Sequence, residues 1–251
     1  MPPTATPAPT PDDVRRAVAA HADPVDAENL ARFFQTHPGG YGEGDAFLGV
    51  RVPALRAVAK AYVDLPPADI RELLDDPWHE HRMVALLIAV TAFRRAGRVR
   101  TADPELRQAL HATYLEAVLA GRVDNWDLVD CSAEWLVGEH LRTTSRDTAL
   151  VERLTAETDL WRRRVGIMAT FAWTKAGDPA PALTAAAAVL DDRRDLVQKA
   201  AGWMLREVGK RVDRQVLLDF LEAHAAEMGR TALSYATEHL APEVRARLRA
   251  L

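Results

Sequence analysis

The stretch QKAAGWMLRE, residues 198–207, decides how the whole chain reads. Its small and apolar residues recur at the three- and four-residue spacing of a helix face, and Lys199, Trp203 and Arg206 share one side of that helix. The same grammar returns at HRMVALLIAV, residues 81–90, and at RRVGIMATFA, residues 163–172. Each begins with a polar residue, then a basic one (Arg82, Arg164, Lys199), then a small-and-apolar helix. Arg164 and Lys199 are 35 positions apart, and Asp130 lies 34 before Arg164. A period of that length suits helix pairs stacked as a solenoid.

Working outward, apolar periodicity with Pro, Gly and Asp as punctuation predicts helices over 12–21, 25–37, 53–63, 67–75, 78–96, 104–120, 126–141, 146–157, 160–176, 179–190, 194–210, 213–226, 229–239 and 242–250. Strand signals are nearly absent. Short joints such as DLPPADI, DDPWHEH and AGDPAPAL predict antiparallel neighbours. The expected fold is therefore all-α: a solenoid of HEAT-like antiparallel helix pairs with a concave basic face. A single repeat domain is expected over 12–251, after an unstructured Pro/Thr-rich tail over 1–11, MPPTATPAPTP.

The totals fit a globular protein. Apolar residues make up 48% of the 251, enough for a large core. No apolar run reaches the ~20 residues of a membrane span, and the N-terminus lacks the basic start and apolar core of a signal peptide. One cysteine, Cys131, excludes an internal disulfide framework. A cytoplasmic location without membrane contact is expected.

The net charge of −4 hides an asymmetry. Trp161–Arg214 carries eleven basic and six acidic residues, a net +5, which leaves −9 for the rest. Such a stripe suits a phosphate-binding face. From composition alone, solvated helix ends explain it slightly better.

The stretch VDNWDLVDCSAEWL, residues 123–136, holds the most informative acids. Asp124 or Asn125 can cap a helix, and Asp127 can complement its dipole in the first turn. Asp130, one turn after Trp126 on the same side, has no such explanation. It is either paired with a basic neighbour such as Arg164 or poised for chemistry. Trp126–Asp130, Trp161–Arg164 and Lys199–Trp203–Arg206 make three tryptophan–charge sets about 35 residues apart. Trp135 and Trp173 read as core, and Trp78 as an anchor at a helix start.

Other chemistries find little support. His79 and His81 in WHEHR fall on opposite helix faces, which is not a zinc pattern. Cys131 has no Cys–His–Asn context. GGYGEGDAFLG, residues 39–49, follows no strand and reads as an ordered loop before a helix near Pro53.

FLGVRVPALR (47–56), NWDLVD (125–130), WRRRVGIM (161–168) and QKAAGWMLRE, in this order, resemble the AlkD-like DNA alkylation repair glycosylases over roughly residues 28–215. The resemblance implies a HEAT-like solenoid that excises N3- and N7-alkylated purines from duplex DNA, without flipping the base into a pocket and without metal or cofactor. It implies that Trp126 and Trp203 are active-site tryptophans, Asp130 the catalytic aspartate, Arg164 a DNA contact and Arg206 a further basic position facing DNA. Lys199, Arg163 and Lys210 join these as expected DNA-binding residues. The expected partner is double-stranded DNA containing alkylated bases, bound by a monomer. A non-catalytic HEAT-like DNA-binding or scaffold module is the competing reading.

Overall fold

The computed structural model describes residues 8–251, and among them the architecture is all-α. The helices are α1 Pro11–Ala19, α2 Pro24–Phe33, α3 Val52–Ala61, α4 Pro67–Leu74, α5 His79–Ala96, α6 Pro104–Leu119, α7 Trp126–Ala133, α8 His140–Thr143, α9 Ala149–Ala156, α10 Leu160–Ala169, α11 Phe171–Lys175, α12 Ala180–Ala187, α13 Asp195–Arg211, α14 Arg214–His224, α15 Arg230–Ala236 and α16 Pro242–Arg249. A π-helical stretch, Glu134–Glu139, runs between α7 and α8. No helix among the described residues is long and apolar enough to cross a membrane.

The punctuation acts as local chemistry. Asp23, Asp103, Asp159 and Asp213 each accept a backbone N–H from the first turn of the helix they precede. Proline stands in the first turn of several helices, where its missing N–H costs nothing. Thr10 and Asp13 form a reciprocal capping box at the start of α1. The helical chain therefore begins at Pro11, one residue inside the expected tail; residues 1–7 of that tail lie outside the described residues.

Three expected boundaries moved for identifiable reasons. The helix expected over 25–37 stops at Phe33 because Gln35 takes a left-handed φ of 54°. The one expected from 146 starts at Ala149, after a turn in which Arg146 has φ 57° and Asp147 accepts the Ala149 N–H. The one expected over 160–176 is interrupted at Thr170, whose hydroxyl donates to the Ile167 carbonyl at 2.7 Å and competes with the helical ladder.

The residues group into two compact units, the first ending at Cys131 and the second spanning Ser132–Leu251. In the first, α5 is the central rod: α3, α4 and α6 pack on it, and every residue from His79 to Val90 is buried. In the second, α10 packs on α9 and α13, and α13 also packs on α12, α14 and α15. Helices thus contact their neighbours and near-neighbours in sequence, as stacked repeats do. The helices after 215, which carry no recognisable motif, build a core with α13 from Leu205, Leu217, Phe220, Leu221, Leu233 and Leu240.

Gly202 sets the α13–α15 distance. A Cβ there would stand 2.4 Å from the Ala232 carbonyl oxygen and 2.7 Å from the Tyr235 Cβ. Gly202→Ala is expected to lower stability by about 1–3 kcal/mol through overpacking. Urea unfolding measures it, and an unchanged midpoint would show that the two helices separate at no cost.

Candidate active site

Asn125 and α7 bring Trp126 and Asp130 to the wall of one cavity in the first unit. The cavity has a volume of about 540 Å³ and is lined by Leu30, Phe33, Phe34, Phe47, Val50, Arg51, Val52, Pro53, Leu55, Arg56, His79, Glu80, Met83, Leu87, Trp126, Asp127, Asp130 and Cys131. Its wall is mainly apolar and aromatic, and Asp127, Asp130, Arg51 and Arg56 are among the charged groups that line it. Trp126 stacks on Phe34 at 5.5 Å between centroids and meets Phe33 edge-on at 6.2 Å. Its indole N–H donates to the Tyr41 hydroxyl at 3.3 Å. Phe33 is 62% exposed, a large aromatic surface left at the rim.

The glycine-rich loop supports this wall. Gly42 packs so close to the Phe34 carbonyl that a Cβ would stand 2.4 Å from its oxygen. The sequence reading of GGYGEGDAFLG as an ordered loop holds, and α3 follows at Val52.

Below the wall lies a buried set of charges from WHEHR and the loop. His79 is 3% exposed. Its Nδ1 is 2.7 Å from the Asp45 carboxylate and its Nε2 3.0 Å from that of Asp127. Burial disfavours the imidazolium, but hydrogen bonds to Asp127 and Asp45 and their charges outweigh it and raise the ring's pKa to about 9. Burial likewise works against an ionised Asp45, and His79 and Arg82 overcome it and hold that carboxyl below its usual range. Glu80 accepts the backbone N–H groups of Leu48, Gly49 and Val50 at 2.9, 2.8 and 3.0 Å. His81 lies 2.9 Å from Asp76, and Arg82 donates to Asp45 at 2.7 Å and reaches Asp124 at 3.3 Å. WHEHR is thus a knot of four consecutive buried ionisable residues. Asp127, read from sequence as a dipole complement, is also a partner of His79.

Cys131 lacks the surroundings of a reactive thiolate. Burial, then the nearby Asp127 and Asp130, push its thiol pKa far above the usual range.

The other expected site residues belong to the second unit. Trp203, half-buried on α13, lies 6.4 Å from Phe171 between ring centroids. Arg164 is only 4% exposed and donates to the Leu196 carbonyl, tying α10 to the start of α13. Arg163 pairs with Asp192 at 2.6 Å, and Lys199 with Asp195 at 2.7 Å. Arg206 pairs with Glu238 and, at 3.5 Å, with Glu207. Lys210 is exposed and, with Arg206, Arg214 and His239, lines a recess of about 320 Å³.

These pairs correct the charge count. Lys175, Arg162 and Arg206 pair with Glu134, Glu157 and Glu238, acids outside the 161–214 segment, so the basic stripe is weaker in space than in sequence. The sequence reading also missed Phe33, Phe34, Arg56 and the Asp45–His79–Asp127 set. The adjacent Phe33–Phe34 pair ahead of a glycine-rich loop was the available signal for the first two.

Comparison with known proteins identifies the family and the fold. The family model described as DNA alkylation repair enzyme matches residues 14–240. No curated protein matches the chain. Among solved structures, a predicted DNA alkylation repair enzyme from Enterococcus faecalis has the same fold, with a TM-score of 0.66 at 16% identity over 88% of this chain and 98% of that one. With nearly its whole length matched, the chain belongs to the DNA alkylation repair enzyme family.

Proposed function

We propose that the protein is a DNA glycosylase that releases cationic N3- and N7-alkylated purines from duplex DNA. The observation that carries this reading is the pairing of Asp130 with the Trp126–Phe34–Phe33 aromatic wall on one cavity. Alkylation at N3 or N7 makes the purine cationic and a good leaving group, so no general acid is required. Departure of the base leaves an oxocarbenium-like sugar, as in glycoside hydrolysis. A fixed Asp130 carboxylate stabilises that cation and orients the attacking water. The indole of Trp126 adds cation–π attraction of about 0.5–2 kcal/mol and excludes bulk water.

In the second unit, the resemblance gives Trp203 the role of another aromatic contact and Arg206 a place facing DNA; Lys199, Arg163 and Lys210 are proposed beside it as further contacts to phosphate. Arg164 enters this proposal with a structural duty as well, since it ties α10 to α13. The recess of Arg206, Lys210, Arg214 and His239 has the charge and size for a backbone phosphate. Lys210→Ala is expected to weaken duplex binding and to lower the slope of log K against log [salt] by about 0.9. Fluorescence titration at several salt concentrations measures it, and an unchanged slope removes Lys210 from the interface.

The test of function is incubation with methylated duplex DNA and no added metal or cofactor. Free 3-methyladenine and 7-methylguanine, with abasic sites left behind, are the expected products. Duplex binding with no base release would instead support the non-catalytic module.

A further inference from the structure

Asp127 and Asn125 flank Trp126, and both are tied to the same buried pair. Asp127 takes a hydrogen bond from His79 Nε2, and Asn125 Nδ2 donates to Asp45 at 3.3 Å while its Oδ1 accepts the Trp126 N–H at 2.8 Å. Asp45 in turn holds His79 Nδ1. The ring is packed against Phe47 at 4.5 Å and Phe34 at 5.2 Å, and Phe34 carries Trp126 on to the cavity. His79, Phe34 and Phe47 line the back of the same cavity, beside Trp126 and Asp127.

Resting on the glycosylase reading, we propose that His79 is a positioning residue: its doubly protonated ring bridges Asp45 to Asp127, fixes the first turn of α7, and so sets Trp126 and Asp130 in reactive geometry. Two carboxylates face the two ring nitrogens, so both nitrogens must donate. A neutral imidazole has one N–H and would leave one carboxylate against a lone pair. The remaining charges around the ring are Arg82, which neutralises Asp45, Asp124 beyond it, and Glu80, which is occupied by three backbone N–H groups. Burial opposes the cation and the two carboxylates outweigh it, so the bridge is intact at neutral pH and opens as pH rises through about 9. A shift of about 1 Å in a reacting group costs on the order of 100-fold in rate, so a buried bridge that fixes the first turn of α7 would matter through position alone.

The test compares wild type, His79→Gln and the double variant His79→Gln/Asp45→Asn. Amide hydrogen exchange over residues 126–130 is read without DNA. Single-turnover release of 7-methylguanine and duplex affinity are read with it. In His79→Gln, the Val129 amide, which donates to the Asn125 carbonyl, is expected to exchange at least about 10-fold faster. Release is expected to slow about 10- to 100-fold with affinity little changed. The double variant is expected to recover part of both, because the introduced asparagine can donate to the glutamine carbonyl while still accepting from Arg82, although it no longer accepts from Asn125. Should the variants not fold, the ring itself decides in wild type: nitrogen NMR is expected to show both nitrogens protonated at pH 8 and titration near pH 9. A ring neutral at pH 8, or exchange and release unchanged in His79→Gln, overturns the proposal. Wild type that releases no base while His79→Gln still frees the 126–130 amides sinks the glycosylase reading and leaves the bridge standing.

Discussion

Glu80→Ala is expected to cost about 3–5 kcal/mol of stability, the largest effect of any single change considered for the first unit. The carboxylate is 1% exposed and accepts three consecutive backbone N–H groups, from Leu48, Gly49 and Val50. Alanine removes the acceptor and leaves three donors without it, two of them buried and that of Leu48 part-buried. Each unsatisfied donor costs about 1–3 kcal/mol before relaxation or entering water reduces the sum. Glu80→Gln keeps one carbonyl and is expected to lose about half as much. The segment that Glu80 holds continues into Val50, Arg51 and Val52 on the cavity wall, so a partly unfolded Glu80→Ala protein would also lose its site. Urea unfolding of the two variants checks this, and a loss under about 1 kcal/mol for alanine would mean that the loop finds other acceptors.

The second large effect is on catalysis. Asp130→Asn keeps the shape of the side chain and removes its charge. If the carboxylate stabilises an oxocarbenium-like sugar, the loss appears in the transition state and not in binding of intact DNA. Single-turnover release is then expected to fall by about 100- to 1,000-fold, with duplex affinity within about twofold of wild type. A matched fall in affinity and rate would mark Asp130 as a binding residue. Trp126, which stands beside it, contributes packing and shielding, so its removal should be milder in rate and should also disturb Phe33 and Phe34.

Much of the fold was legible because helix caps and helix faces are local. The expected helices over 25–37, 104–120, 160–176 and 213–226 start at or just after Asp23, Asp103, Asp159 and Asp213, which cap them, and the repeated stretches at 81, 163 and 198 became the buried rods α5, α10 and α13. The same spacing argument placed Trp126 and Asp130 on one side of α7, and they do line one cavity. What spacing could not show is which partners arrive from elsewhere in the chain. His79 meets Asp45 across 34 residues and Asp127 across 48, so WHEHR read as a failed metal motif although its four ionisable residues form a buried charge cluster against the candidate cavity. Charge counting failed for the same reason. The acids that pair with Lys175, Arg162 and Arg206 lie outside the segment in which the cations were counted. The break at Thr170 and the left-handed Gln35 depend on backbone competition that an apolar period does not record.

In the proposed reaction, Asp130 and Trp126 serve excision of a cationic purine. The most direct measurement follows free 7-methylguanine released from methylated duplex DNA under single-turnover conditions, with wild type and folded Asp130→Asn side by side. Release by wild type, and a loss of about 100-fold or more in the variant at unchanged duplex affinity, is the predicted result. Equal release by the two proteins, or none by wild type on DNA that it binds, would contradict it.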